Sequence, residues 1–167
     1  MSNETELLKD KILKAQEAGS VAGLFVLEQE ANERFDEELL LKYYANILEL
    51  ALERLTDALE SARRMEMSDV EDFATVRALY EYAVEHYSAG KPIDAAALFE
   101  IIGGLTTDAK LSEAMAVHRE AAKAGMSLDD FINNVADIDA TQAAGSFYVC
   151  AFTDAARDLL DNAQQDS

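Results

Sequence analysis

The sequence predicts an all-α fold assembled from helix–turn–helix units. Proline occurs once and tryptophan not at all, and the chain is rich in Ala, Leu and Glu. Apolar residues recur at spacings of three and four, as on the buried face of a helix. No alternating run of β-branched residues is long enough to predict a strand. With 167 residues, half of them apolar, the chain is expected to form one all-helical domain with its own core.

The charge balance excludes several classes of partner. The formal net charge is −19, and such a surface repels phosphate backbones and anionic lipid, so we expect neither nucleic acid nor membrane as a partner. The acidity has three explanations: a soluble surface, a shield for a basic or apolar partner, or a salt-adapted source. The charged N-terminus lacks the apolar core of a signal peptide, and the single cysteine, Cys150, forms no disulfide framework. These features predict a cytoplasmic protein.

Residues 1–67 are expected to form an N-terminal helical region. A short amphipathic helix covers 4–18 and ends at Gly19, and Ser20 caps a second helix that runs through Phe35. The longest helix is predicted over 36–66.

Apolar residues of this longest helix alternate steps of three and four, which is the seam of a helix pair with about 3.5 residues per turn. The seam consists of Leu41, Tyr44, Leu48, Ala51, Leu55, Ala58, Ala62 and Met65. One interpretation is an antiparallel hairpin with the next helix. The other is a homodimer formed through the exposed part of the seam, whose self-association residues are Leu41, Tyr44, Leu48 and Leu55.

Residues 68–105 predict an antiparallel helical hairpin. Ser68 and Glu71 have the spacing of a capping box, which marks the start of the first helix. Gly90 supplies the left-handed residue that ends it, and Pro92 fits the first turn of the second helix. Small residues on this second helix predict a close approach to a neighbouring helix.

Three further helices are predicted after the hairpin. They run from Thr107 or Asp108 through Lys123, from Ser127 to about Ile138, and from Thr141 to about Asn162. The hairpin also matches the residues that follow it at a fixed offset of 32. The identities are Leu79/Leu111, Glu81/Glu113, His86/His118, Ala89/Ala121, Lys91/Lys123 and Phe99/Phe131. This period is typical of stacked helix–turn–helix repeats, so degenerate repeats are expected over 68–163.

The stretch LYEYAVEHYSAGKPIDAAALFEIIGGL, residues 79–105, resembles a tetratricopeptide repeat. Leu79 takes the large apolar position of that repeat, Ala83 the small one, Gly90 the turn and Phe99 the aromatic of the second helix. More narrowly, it is similar to the first repeat of the class II, tetratricopeptide-type translocator chaperones of bacterial type III secretion. The closing proline of the repeat is replaced by Thr107.

The resemblance implies a concave groove that holds an extended segment of a client protein. Client-binding positions in the first repeat would be Tyr80, Val84 and Tyr87, which helical spacing also places on one face. The corresponding positions of the second repeat are Met115, Arg119 and Ala122. A tyrosine suits this role because its ring fills a pocket edge while its hydroxyl bonds client backbone. The alternative is that these tyrosines are core residues beneath the N-terminal helices.

The sequence predicts no catalytic, metal or cofactor site. His86 and His118 are the two histidines, and Glu81 and Glu113 precede them by five residues rather than the three that a di-iron bundle requires. No phosphate-binding loop or nucleophile motif is present. The leading hypothesis is therefore a cytoplasmic chaperone or adaptor, not an enzyme, that binds an apolar segment of a type III secretion translocator. The alternatives are an assembly protein that oligomerises through the 41–65 seam, and a metal- or cofactor-binding bundle that uses His86 and His118.

Overall fold

A computed structural model of the chain describes residues 3–165 and confirms the all-α prediction. The helices are α1 (Asn3–Glu17), α2 (Val21–Val26), α3 (Glu28–Arg34), α4 (Glu37–Glu60), α5 (Val70–Ser88), α6 (Pro92–Leu105), α7 (Ala109–Lys123), α8 (Leu128–Asp130), α9 (Ile138–Ala144) and α10 (Ala155–Gln165). A π-helical turn, Phe131–Val135, continues directly from α8. Over the described range 3–165, each helix is too short or too polar to cross a bilayer.

The chain divides into two compact units, Met1–Ala78 and Leu79–Ser167. The division falls inside α5, whereas the sequence placed its internal boundary between residues 67 and 68. The first unit contains α1 to α4 and the beginning of α5, and the second contains the remaining helices. The arrangement as one domain of stacked repeats stays a prediction.

Most predicted helix ends are confirmed. Gly19, Gly90 and Gly125 all have positive φ, between +67° and +82°, and they follow the ends of α1, α5 and α7. The side chain of Ser20 accepts a hydrogen bond from Gly23 N at 2.8 Å and caps α2. Asp108 caps α7. Local sequence is sufficient at these positions because each cap is made within a few residues of the chain.

The predicted capping box at Ser68 is wrong. The helix starts one residue later, and Asp69 Oδ1 accepts the Asp72 N–H at 2.8 Å. Glu71 does not reach back to the cap, because its carboxylate accepts hydrogen bonds from the Ser20 hydroxyl and from Ala22 N. A tertiary contact has therefore replaced the local one.

Two helices of the first unit are shorter than predicted. The helix expected from Ser20 through Phe35 is divided at Leu27. Leu24 O accepts hydrogen bonds from the Leu27 N–H and the Tyr43 hydroxyl, which replace the regular bond from the N–H four residues later. The helix expected over 36–66 ends at Glu60. It stops because Ala62 adopts φ = +56°, the left-handed region.

A buried carboxylate ties α4 to the start of α5. Asp72 accepts hydrogen bonds from Arg54 Nη2 at 3.2 Å, Arg63 Nη1 at 3.0 Å and Glu66 N at 3.1 Å. Arg54 Nε also donates to the buried Thr75 hydroxyl at 2.9 Å. Burial is the largest influence on the pKa of Asp72 and opposes its ionisation, but the hydrogen bonds from Arg63, Glu66 N and Arg54 outweigh it and lower the pKa.

The core of the second unit forms where α6 and α7 pack together. Pro92 is the first residue of α6, as predicted. At Gly103 an added Cβ would lie 3.3 Å from Met115 Cβ, so a small residue is required there for the two helices to approach. The helix predicted from Ser127 to Ile138 is instead α8 and the π-helical turn, which ends at Val135.

The predicted final helix over 141–162 is wrong. It is interrupted between α9 and α10, where Ser146 to Thr153 are non-helical, with a bend at Phe147 and Tyr148. Gly145 ends α9 with φ = +67°. Thr141 caps no helix, because it lies within α9 and its hydroxyl accepts the N–H groups of Cys150 and Ala151.

A pair of glycine substitutions separates backbone strain from helix propensity. We expect Gly145→Ala to lower the free energy of unfolding by about 1 kcal/mol, because φ = +67° is costly for a residue with a Cβ. Gly104→Ala should raise it by about 0.5–1 kcal/mol, because Gly104 lies in α6 with open space around an added Cβ. Urea unfolding followed by circular dichroism measures both. A stabilising Gly145→Ala would contradict the strained turn.

Candidate protein-binding site

A non-helical segment of the chain lies against the helices of the second unit. We call Ser146–Thr153, sequence SFYVCAFT, the resident segment. The Tyr80 hydroxyl accepts the Val149 N–H at 3.2 Å. The Thr141 hydroxyl lies 3.3 Å from both the Cys150 and the Ala151 nitrogen. These side chains therefore hold the segment through its backbone.

The resident segment also pairs with Val135, the last residue of the π-helical turn, and with the two residues that follow it. Asp137 N donates to Ala151 O, and Thr153 N donates to Val135 O, both at 2.8 Å. Ala136 and Phe152 form an isolated antiparallel bridge. This pairing adds main-chain contacts of the kind found between adjacent strands.

The side chains of the resident segment are apolar and incompletely covered. Residues 147–152 are each half-buried. The Phe147 and Tyr148 rings contact the Tyr80 ring with centroids 6.0 and 6.2 Å apart, and Phe152 meets the His118 ring at 6.0 Å. The segment thus exposes more apolar surface than a fully packed core strand would.

Two clefts flank the resident segment. One, of about 380 Å³, lies among α5, α9 and Phe147–Val149, and Tyr80 and Val84 contribute to its wall. The other, of about 780 Å³, lies among α7, α10 and the part of the segment that contains Cys150 and Phe152. Side chains larger than those of the segment therefore have space on both sides.

Beneath the resident segment lies a buried Tyr80–His118 pair. His118 Nδ1 is 2.7 Å from Ala114 O, so Nδ1 carries the proton, and Nε2 accepts the Tyr80 hydroxyl proton at 2.7 Å. Phe99 and Phe131 flank the imidazole with centroids 4.9 and 4.8 Å away. Burial lowers the pKa of His118 to about 4, although the hydrogen bond with Ala114 opposes this shift. His118 is therefore neutral near pH 7.

The predicted client-binding residues occupy two environments. Tyr80, Tyr87, Met115 and Ala122 are buried, and Val84 and Arg119 are half-buried. The Tyr87 hydroxyl donates to Met126 O at 2.7 Å, and burial raises its pKa to about 12. Arg119 pairs with Glu120 at 2.8 Å. The structure brings Tyr80 and Val84 together at the cleft beside the resident segment, and places the others within the packed unit.

The predicted self-association residues also divide. Leu41 is 66% exposed, Leu48 is half-buried, and Leu55 is buried. The half-buried Tyr44 donates its hydroxyl proton to Glu28 Oε2 at 2.9 Å. The residues that α4 buries are Tyr43, Ile47, Ala51, Leu55 and Ala58. The buried face therefore combines Tyr43 and Ile47, which lie outside the predicted seam, with three residues from the later part of that seam.

The two histidines lie in different surroundings. Both nitrogens of His118 have hydrogen-bond partners, whereas His86 is half-buried and meets the Tyr82 ring edge-on at 4.5 Å between centroids. Within residues 3–165 no group of three or more His, Cys, Asp or Glu side chains is arranged to hold a metal ion.

Sequence reasoning missed the resident segment and Thr141. The signal was present in Gly145-Ser146, which favours a break, and in the aromatic and β-branched residues that follow, which favour extended structure. The resident segment is too short to be predicted as a strand. Its residues also show no alternation of apolar and polar side chains.

Neither a model of a known protein family, nor a curated protein, nor a solved structure matches this chain. Any functional assignment therefore depends on the residues and contacts described above.

Proposed function

We propose that this protein is a non-enzymatic chaperone or adaptor that binds an extended, apolar segment of a client protein on its second unit. The observation that carries the proposal is the resident segment. A non-helical stretch of chain with half-exposed aromatic side chains already lies on these helices and is held through its backbone groups. A client segment of similar character would take its place.

The contacts on the resident segment support broad rather than narrow client recognition. Tyr80 and Thr141 accept backbone N–H groups, and the residues after the π-helical turn supply a main-chain edge. Such contacts give affinity that does not depend on the client side chains, whereas the cleft beside Tyr80 and Val84 favours apolar ones. The contacts of Tyr80 with the resident segment support the proposal, because its ring meets Phe147 and Tyr148 and its hydroxyl accepts the Val149 N–H.

The proposed client class is the translocator proteins of type III secretion. Residues 79–105 carry the resemblance to their chaperones, and such clients contain long apolar segments that must be shielded before export. The proposed place of action is the cytoplasm. A net charge of −19 supports this role, because like-charged complexes repel one another and remain dispersed.

The experiment measures aggregation of a purified translocator protein, diluted from denaturant, by light scattering. Wild-type protein at equimolar ratio is expected to suppress the scattering. Val84→Glu should abolish suppression, because it places a carboxylate in the apolar cleft. Phe147→Ser combined with Phe152→Ser should strengthen suppression, because it weakens the aromatic contacts of the resident segment with Tyr80 and His118.

Ile93→Glu is the matched control, since Ile93 is 68% exposed in the same unit and outside both clefts. Circular dichroism establishes that each variant is folded. Suppression by Val84→Glu equal to that of wild type and of Ile93→Glu would reject this site.

A further inference from the structure

Helix α4 carries an apolar stripe that differs from the seam predicted from sequence. Its members follow one another at alternating steps of four and three residues. They are Leu41, Ala45, Leu48, Leu52, Leu55 and Leu59. At 100° per residue, all six fall within an arc of about 80°. We call this set the leucine stripe, and its spacing is that of a helix which pairs with another helix.

The leucine stripe is exposed to solvent at its ends and partly covered in the middle. Leu41 and Leu59, at its two ends, are 66% and 60% exposed. Ala45 is also exposed, Leu48 and Leu52 are half-buried, and Leu55, on the side nearest the core, is buried. The ends are separated by about 27 Å along the helix. That length accommodates about five turns of a second helix.

The solvent side of the leucine stripe is bordered by charge of one dominant sign. The exposed residues there are Glu38, Lys42, Glu49, Glu53 and Glu60. Antiparallel pairing with a second copy would place this acidic edge against itself, and any pairing of copies would join two chains of net charge −19. A helix with cationic residues at its edge would instead meet opposite charge along its length.

We propose that the leucine stripe docks an amphipathic helix of a partner protein, with apolar residues at heptad spacing and Lys or Arg along the edge that faces Glu49 and Glu53. Leucine contacts supply the affinity, and the carboxylates supply orientation and selectivity against acidic helices. This surface lies in the first unit and uses no residue of the resident segment or its clefts, so the proposal is independent of the chaperone function.

The probe is a synthetic 21-residue peptide, about six helical turns, with leucines at heptad spacing and lysines at the flanking positions. A second peptide has the same leucines with glutamates at those positions. Fluorescence anisotropy at physiological ionic strength measures binding, and circular dichroism measures the helix gained. We expect the lysine peptide to bind and gain helix, and the glutamate peptide to bind about tenfold more weakly or not at all.

Leu41→Gln combined with Leu59→Gln should lower the affinity for the lysine peptide about tenfold, because the double variant loses two exposed apolar contacts without a change in charge. Val26→Gln with Ile93→Gln is the matched control, because these residues are 81% and 68% exposed outside the stripe. The control should bind as wild type does.

Equal binding of the lysine peptide to both double variants would show attraction to net charge alone and would overturn the proposal. Static light scattering measures the molar mass and so tests whether a second copy of the chain, rather than a partner helix, occupies the leucine stripe. A wild-type dimer that dissociates in Leu41→Gln with Leu59→Gln, but not in the control variant, would assign the stripe to a second copy and would also overturn it. Binding unchanged by Val84→Glu supports a surface separate from the client site.

Discussion

Asp72→Asn is expected to lower the free energy of unfolding by about 3 kcal/mol, the largest effect of a single substitution that we predict. Asp72 Oδ2 accepts from Arg63 and from Glu66 N, and Oδ1 accepts from Arg54. Whichever way an asparagine amide turns, its NH₂ group faces a donor. The variant also leaves two guanidinium groups without their buried counter-charge.

Urea unfolding followed by circular dichroism measures this effect. Asp57→Asn is the matched control, because Asp57 is exposed on α4 and the same chemical change there should cost less than about 0.5 kcal/mol. The lowered pKa of Asp72 adds a pH signature. Its contribution is present above the unfolded pKa near 3.8 and is lost as the pH falls through the lower, folded pKa. If Asp72→Asn were as stable as Asp57→Asn, the stabilising role of the Asp72 carboxylate would be contradicted.

Acidification from pH 6.5 to 4 is expected to remove about 3 kcal/mol of stability through His118. Burial lowers the pKa of this imidazole from 6.5 to about 4 in the folded protein. Between these values the unfolded chain binds a proton that the folded chain does not, so stability falls as the pH falls. The contribution is fully present above the unfolded pKa.

The measurement is the difference in unfolding free energy between wild type and His118→Gln at a series of pH values, since protonation of the many carboxylates affects both proteins alike. The advantage of wild type should shrink by about 3 kcal/mol between pH 7 and pH 4. Parallel curves for wild type and His118→Gln would reject a neutral, buried His118.

Local sequence predicts this fold well where a helix end is made by nearby residues. Gly90 and Gly125 end helices, and Ser20, Pro92 and Asp108 begin them, as expected. In each case the turn or cap involves groups within four residues, so tertiary contacts have little to override.

The errors have a common physical origin in long-range hydrogen bonds. Glu71 accepts a hydrogen bond from Ser20 instead of capping its own helix. The Tyr43 hydroxyl donates to the carbonyl of Leu24. The Thr141 hydroxyl accepts N–H groups from a later part of the chain. None of these partners is visible in a short window of sequence. The apolar pattern of α4 was ambiguous for a related reason: it contains more than one stripe of helical spacing, and only packing decides which one is buried.

The structure places Tyr80 and Val84 at a cleft beside the resident segment, which belongs to the chain itself. The role of these two residues in client binding stays a prediction. The segment could not be predicted because its N–H groups are accepted by side-chain hydroxyls of Tyr80 and Thr141, which lie on distant helices. Whether a client replaces it stays a prediction.

The backbone contacts of the resident segment also fix its register. The Thr141 hydroxyl accepts the N–H groups of two consecutive residues, Cys150 and Ala151. Successive N–H groups of a regular strand point to opposite edges, so both can reach one oxygen only where the backbone is kinked. A regular strand that slid through this position by two residues would lose one of the two hydrogen bonds. These contacts therefore hold one register of a kinked chain and oppose stepwise sliding.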